Sequence, residues 1–177
     1  MKAGIDFSMN SPSICVGKVG EKPTFHAFKQ AKKHYSEGNI ILAEYPEWKT
    51  PEERFYKLAS WAIEIVKDCS EINIEGYAMN GKGQVFHIGE ATGLVKHLIF
   101  MHGLSHNEIS PNSLKKFATG KGNAKKHDMA YAFLREDVGV DIFGHFSKEL
   151  DPAKDIAAPI TDMIDAYWLW RYDQLPA

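Results

Sequence analysis

Two carboxylates of this 177-residue chain, Asp6 and Glu75, stand where it has little structural reason to place them, and two more, Asp162 and Asp165, are spaced to join them. Asp6 lies inside the run Ala3-Gly4-Ile5-Asp6-Phe7, and Glu75 closes Ile72-Asn73-Ile74-Glu75. A lone charge in such a run is costly unless it is solvated or paired. Asp162 and Asp165 sit three apart in Thr161-Asp162-Met163-Ile164-Asp165-Ala166, so on a helix they project from one side. Brought together, the four would repel one another unless cations neutralised them. Their hard oxygen ligands select Mg2+, with Mn2+ able to substitute. Two ions per site, about 3.5 to 4 Å apart, suit phosphodiester hydrolysis, one activating water and the other stabilising the leaving oxygen. Taken singly, each acid reads equally well as a cap, a solvated edge residue or a salt-bridge partner. Only their joint placement makes a site.

A second chemical feature is basic. Lys115, Lys116, Lys121, Lys125 and Lys126 fall in one segment that has no acid until Asp128, interleaved with Gly120 and Gly122. Glycines let phosphates approach the backbone, and such a stripe supplies DNA affinity without reading base sequence. The alternative is an ordinary solvated charge run. His102 and His106 have metal-like spacing, but Gly103 interrupts any helix between them, so no zinc site is expected. Tyr167, Trp168, Trp170 and Tyr172 recur at helical spacing beside Ile164 and Leu169, which favours core or interface over base stacking.

The elements that must position these groups follow from periodicity. Residues 2–8 alternate as a half-buried strand, with Gly4, Asp6 and Ser8 sharing a face. Residues 13–19 and 24–30 read as a hairpin that completes a three-stranded meander. Residues 31–49 read as a polar connection in which Tyr45-Pro46 and Trp48 have no assigned place. Thr50-Pro51-Glu52-Glu53 starts a helix whose buried stripe is Phe55, Leu58, Ala62, Ile65 and Val66. If that helix is a right-handed crossover, the strand over residues 71–75 returns parallel to the first and beside it, so Asp6 and Glu75 share one face. A loop follows over 76–83, then a helix over 84–101 with Phe86, Leu94, Val95, Leu98 and Ile99 inward. In that helix Gly89 and Gly93 offer a close-packing face, either a core contact or a dimer seam. A short strand over 104–109, helices over 110–117 and 124–137, and a final helix over 159–172 complete an α/β chain with a mixed sheet.

Bulk composition bounds the function. The length suits one domain spanning 1–177, and 44% apolar with 25% charged residues excludes long disorder and disulfide scaffolds. Cys15 and Cys69 are far apart without ligand spacing, so two buried free thiols are expected. An acid at position 6 and the lack of a long apolar run argue against export and membrane insertion. The expected location is cytoplasmic, in a bacterium or in the host of a virus that encodes the chain. A formal net charge of −2 gives no global attraction to nucleic acid, so binding must come from local charge.

With these residues in view, the chain resembles the RuvC-type Holliday junction resolvases of the RNase H-like superfamily. Gly4-Ile5-Asp6 and Ile74-Glu75 are similar to that family's first two catalytic segments. Ile88-Gly89-Glu90-Ala91-Thr92-Gly93-Leu94-Val95 resembles its Leu-Gly-x-Ala-x-Gly-Val helix. Gly120-Lys121-Gly122-Asn123-Ala124-Lys125-Lys126 resembles its Gly-x-Gly-x-Ala-x-Lys loop, and Asp162-Met163-Ile164-Asp165-Ala166 its terminal helix. The likeness runs from residue 2 to about residue 168 and is weakest over 31–49 and 139–158. It implies an RNase H-like fold with a mixed five-stranded sheet flanked by helices. It also implies Asp6, Glu75, Asp162 and Asp165 as catalytic metal ligands, a homodimer, and paired nicks across four-way DNA. Lys115 and Lys126 fall at the family's DNA-contacting lysines. Tyr77 falls near the aromatic residue that enters the junction, although Gly76 precedes it here and the loop is one residue shorter. Cleavage of flaps, forks or RNA/DNA hybrids, and junction binding without cleavage, are the competing readings.

Overall fold

A computed structural model of the chain describes residues 1–18, 20–76 and 85–172. Strands β1 (Lys2–Asp6), β2 (Ser13–Gly17) and β3 (Thr24–Phe28) form the expected antiparallel meander. The sheet then gains a strand that sequence reasoning missed. β4 (Ile40–Ala43) lies inside the supposed polar connection and pairs parallel to β3, so the sheet has six strands rather than five. Its apolar signal is short, and polar residues 31–39 in front of it obscure the alternation.

Helix α1 (Pro51–Val66) begins as read, the Thr50 hydroxyl accepting from the Glu53 amide. The Glu53 carboxylate reaches back one residue further than a capping box requires and accepts from the Lys49 amide at 2.8 Å. α1 is the crossover that returns the chain to β5 (Glu71–Glu75), parallel to β1 and next to it, with Ile5 opposite Ile74. Helix α2 (Val85–Met101) follows, then β6 (Asn107–Ile109), α3 (Pro111–Thr119) and α4 (Lys126–Arg135). The chain closes with the short α5 (Ile142–His145) and with α6 (Ile160–Arg171). Strand order is β4-β3-β2-β1-β5-β6.

The sheet is covered on both faces. Ala3, Ile5, Ile14, Ile72 and Ile74 pack on α1 and α2, while Phe25, Ala27 and Ile109 pack with α3, α4 and α6. β1 is therefore a buried central strand and not the half-buried one its alternation suggests, because α6 covers its second face. Gly4 permits this. A methyl carbon there would overlap the Ala166 carbonyl oxygen and the Trp170 amide nitrogen of α6. Tyr167, Trp168 and Trp170 are core, the Trp170 indole donating to the Gly17 carbonyl at 3.3 Å. One further expectation is corrected. Phe86, placed inward with Val95 and Ile99, is 86% exposed, whereas Val95 and Ile99 are buried as expected and Ala91 is buried with them. The 139–158 connection folds back so that Ile142, Phe143 and Phe146 enter the core. Cys15 and Cys69 are buried free thiols, and among the described residues no helix is long and apolar enough to cross a membrane.

Candidate active site

The parallel register of β1 and β5 puts Asp6 and Glu75 side by side, one residue beyond the Ile5–Ile74 pair, on strands about 4.8 Å apart. They end their strands at the carboxyl edge of the parallel part of the sheet, where α/β folds place ligands. α6 crosses this face antiparallel to β1. Its last turn is tied to the strand starts, since buried Asn73 donates to the Leu169 and Tyr172 carbonyls at 2.8 and 3.0 Å, and Lys2 also donates to Tyr172. Its first turn therefore brings Asp162 and Asp165 over the ends carrying Asp6 and Glu75.

The electrostatics show the four acids acting on one another. Asp6 is 8% exposed, and burial first, then Glu75, Asp162 and Asp165, push its carboxyl well above the usual carboxylate range. Asp165 is raised to about 7, by burial and then by Glu75 and Asp162. Burial also raises Glu75, with Asp162 adding to it and Lys115 opposing. Asp162 is raised by burial too, yet it is the best supported of the set. Thr161 donates to its Oδ1 at 2.9 Å, and Ser8 stands 3.5 Å from its Oδ2. Ser11 comes near enough to pull its pKa down as well, although the buried Ser11 Oγ lies outside hydrogen-bonding geometry.

The lysines divide. Lys115, Lys125 and Lys126 line a cleft of about 430 Å³ together with Glu75, Asp165, Thr161 and Ile164. Lys115 and Lys126 lower the pKa of Asp165, so both lie within electrostatic reach of the acids. Lys121 lines a different recess with Tyr131 and Arg135, and Lys116 is exposed outside the cleft. Gly120 ends α3 with φ of 78°, the left-handed cap that glycine favours, and this turn carries the chain from Lys115 to Lys126. Tyr77 lies outside the described residues. Sequence reasoning also missed Ser8, Ser11, Thr161 and Asn73. The available signal was alternation, which puts Ser8 on the face of Asp6 and Asn73 on the face of Glu75.

The four oxygen-donor groups suit a hard divalent cation in kind, because buried, mutually repelling carboxylates need a counter-charge. Among the described residues, however, no three His, Cys, Asp or Glu side chains are set as a metal-holding cluster.

The architecture is a RuvC/RNase H-like α/β fold. Thermus thermophilus RuvC matches over 95% of this chain and 91% of its own, with TM-score 0.59 and 17% identity. The same protein in complex with a Holliday junction substrate matches with TM-score 0.60. The yeast mitochondrial Holliday junction resolvase Ydc2 matches over 95% of this chain and 75% of its own, with TM-score 0.56 and 13% identity. In sequence, the chain is similar to the crossover junction endodeoxyribonuclease RuvC of Rickettsia typhi, 31% identical over 77 residues. That match spans 44% of this chain and 46% of the relative, and no family model matches. The chain thus resembles the RuvC-type resolvases across nearly its whole fold and, in sequence, over part of its length.

Proposed function

We propose that this chain is a structure-selective, metal-dependent endodeoxyribonuclease that resolves Holliday junctions or related branched DNA. The reading is supported by the register that sets Asp6 beside Glu75 on β1 and β5, with Asp162 and Asp165 of α6 within electrostatic reach of Asp6, next to a lysine-lined cleft. Asp6, Glu75, Asp162 and Asp165 would hold Mg2+ or Mn2+, two ions per site. When bound, such ions supply the charge that lets water attack a phosphodiester and the leaving oxygen depart. The chain's own residues do the rest. Lys115, Lys125 and Lys126 draw the phosphate backbone into the cleft, Lys116 and Lys121 extend the basic surface outside it, and Tyr77 contacts the junction. Thr161 and Ser8 orient the Asp162 carboxylate.

The working form is a homodimer, so that two sites reach symmetry-related strands. An apolar stripe on α2 supports this. Phe86, Gly89, Gly93 and Phe100 recur at helical spacing, with Phe86 and Phe100 86% and 73% exposed. Among the described residues an added methyl on Gly93 would meet nothing within 4 Å, so of the two readings of this pair the dimer seam is favoured over the core contact.

The deciding experiment compares wild type with Asp6→Asn on a labelled four-way junction in Mg2+, alongside three-way, flap and RNA/DNA hybrid substrates. Wild type should nick the four-way junction fastest and in symmetric pairs, while Asp6→Asn binds without cutting. Cutting by the mutant removes the mechanism, and preference for another substrate reassigns the activity.

A further inference from the structure

The two residues that sequence reading left without a place, Tyr45 and Trp48, converge on Arg54 of α1. The Arg54 guanidinium stacks over the Trp48 ring, 5.1 Å from its centroid, and over the Tyr45 ring at 5.7 Å. Its Nε donates to the Tyr45 hydroxyl at 2.9 Å, and its Nη2 donates to the Met9 carbonyl and to Asn10 Oδ1, both at 2.8 Å. The Tyr45 hydroxyl donates to the same Met9 carbonyl at 2.5 Å. All of these acceptors are neutral, so the guanidinium serves here as a planar fork that fixes the direction of several oxygens.

What it fixes is the turn just after Asp6. Within that turn the Ser11 amide donates to Ser8 Oγ at 3.0 Å, which sets the two serines relative to each other. Ser8 Oγ donates to Asp162 Oδ2 at 3.5 Å, and Ser11, 3% exposed, is buried in the same turn. The turn therefore carries a hydroxyl that meets an acid of the site.

We propose that Arg54, braced by Tyr45 and Trp48, is a positioning residue for the carboxylate site, fastening the 8–11 turn so that the Ser8 hydroxyl, held by the Ser11 amide, bears on Asp162. The segment 31–49, where the family likeness is weakest, thereby acquires a role at the site. The kinetic consequence rests on the nuclease reading, whereas the structural consequence does not.

The test uses Arg54→Met, Arg54→Lys and Tyr45→Phe, with Lys67→Met as a control at the far end of the same helix, where Lys67 pairs with Glu64. In metal-free protein, Arg54→Met should speed amide exchange at residues 9–11 by tenfold or more and displace the carboxylate carbon resonance of Asp162 (order of magnitude from the loss of local protection). Single-turnover junction cleavage should slow roughly tenfold to a hundredfold, with junction affinity within about twofold. Arg54→Lys should not rescue, because one ammonium cannot reach all three oxygens in a plane. Tyr45→Phe should move each readout in the same direction by less, and Lys67→Met none of them. Wild-type exchange and an unmoved Asp162 signal in Arg54→Met overturn the proposal. So does a loosened turn with an undiminished cleavage rate, or a rate loss that disappears on cooling well below the melting point. If the wild type cuts no junction, the nuclease reading fails, while exchange and the Asp162 resonance still decide whether Arg54 holds the turn.

Discussion

Substituting Gly4 with alanine tests how the site is assembled. A methyl carbon at this position would lie 2.8 Å from the Leu169 carbonyl carbon, where ordinary contact begins at 3.4 Å, and would overlap the Ala166 oxygen and Trp170 nitrogen outright. All three obstacles are backbone, so no side chain can rotate away, and α6 must retreat from β1 by at least about half an ångström. Overpacking of this kind costs about 1–3 kcal/mol, and the rigid obstacles place Gly4→Ala at the upper end. For a domain of this size that lowers Tm by roughly 5–10 °C. The retreat also separates Asp162 and Asp165 from Asp6 and Glu75, and a misplacement near 1 Å costs about a hundredfold in rate. Thermal unfolding and single-turnover cleavage of a four-way junction in Mg2+ read the two effects. Gly17→Ala, which would meet the Pro23 Cα at 3.1 Å, is the milder comparison, since that contact does not involve the α6 backbone. A Gly4→Ala protein with wild-type Tm and cleavage rate would show that α6 does not rest on β1 as described, and the reasoning about the site would fail with it.

Three further outcomes are expected. Lys115→Ala with Lys126→Ala should weaken junction binding at every sequence and flatten the salt dependence by about two units of slope, measured by titration over a salt series; an unchanged slope removes both lysines from the interface. Without divalent metal, Asp165 holds its proton up to about pH 7 in the folded protein, against an ordinary value of 3.8. Between those values the native state binds more protons than the unfolded chain, so this group's contribution makes stability fall as pH rises through the window. Asp165→Asn should therefore stabilise the metal-free protein by roughly 1–4 kcal/mol at about pH 8 and much less near pH 4, read by urea unfolding at both. Finally, Phe100→Glu should shift the sedimenting species from dimer to monomer at micromolar concentration and abolish paired nicking; a wild type already monomeric there would exclude the α2 seam.

The local signals in this sequence were strong where chemistry and capping are local. The Thr50 cap, the β2–β3 hairpin, the out-of-place Asp6 and Glu75, and the i,i+3 pair on α6 were all legible, because each depends on residues within a turn or a strand of one another. Right-handed crossover geometry then sufficed to predict that β1 and β5 lie parallel and adjacent. The rest depended on partners distant in the chain. Alternation in residues 2–8 signalled one buried face, and only the arrival of α6 against Gly4 buried the other. Phe86 was grouped inward with Val95 and Ile99, but at 3.6 residues per turn it stands half a revolution from Val95, and burial of Val95 leaves it on the solvent side. β4 pairs with a strand it follows by a polar stretch, and its four residues carry too short a pattern to declare themselves. Tyr45, Trp48 and Arg54 likewise become a unit only when α1 lies beside the turn that follows β1. Sequence supplied the identities of the charged groups. Tertiary structure decided which of them share a dielectric environment, because electrostatic coupling depends on separation in space and on the exclusion of water, and neither is a local property of the chain.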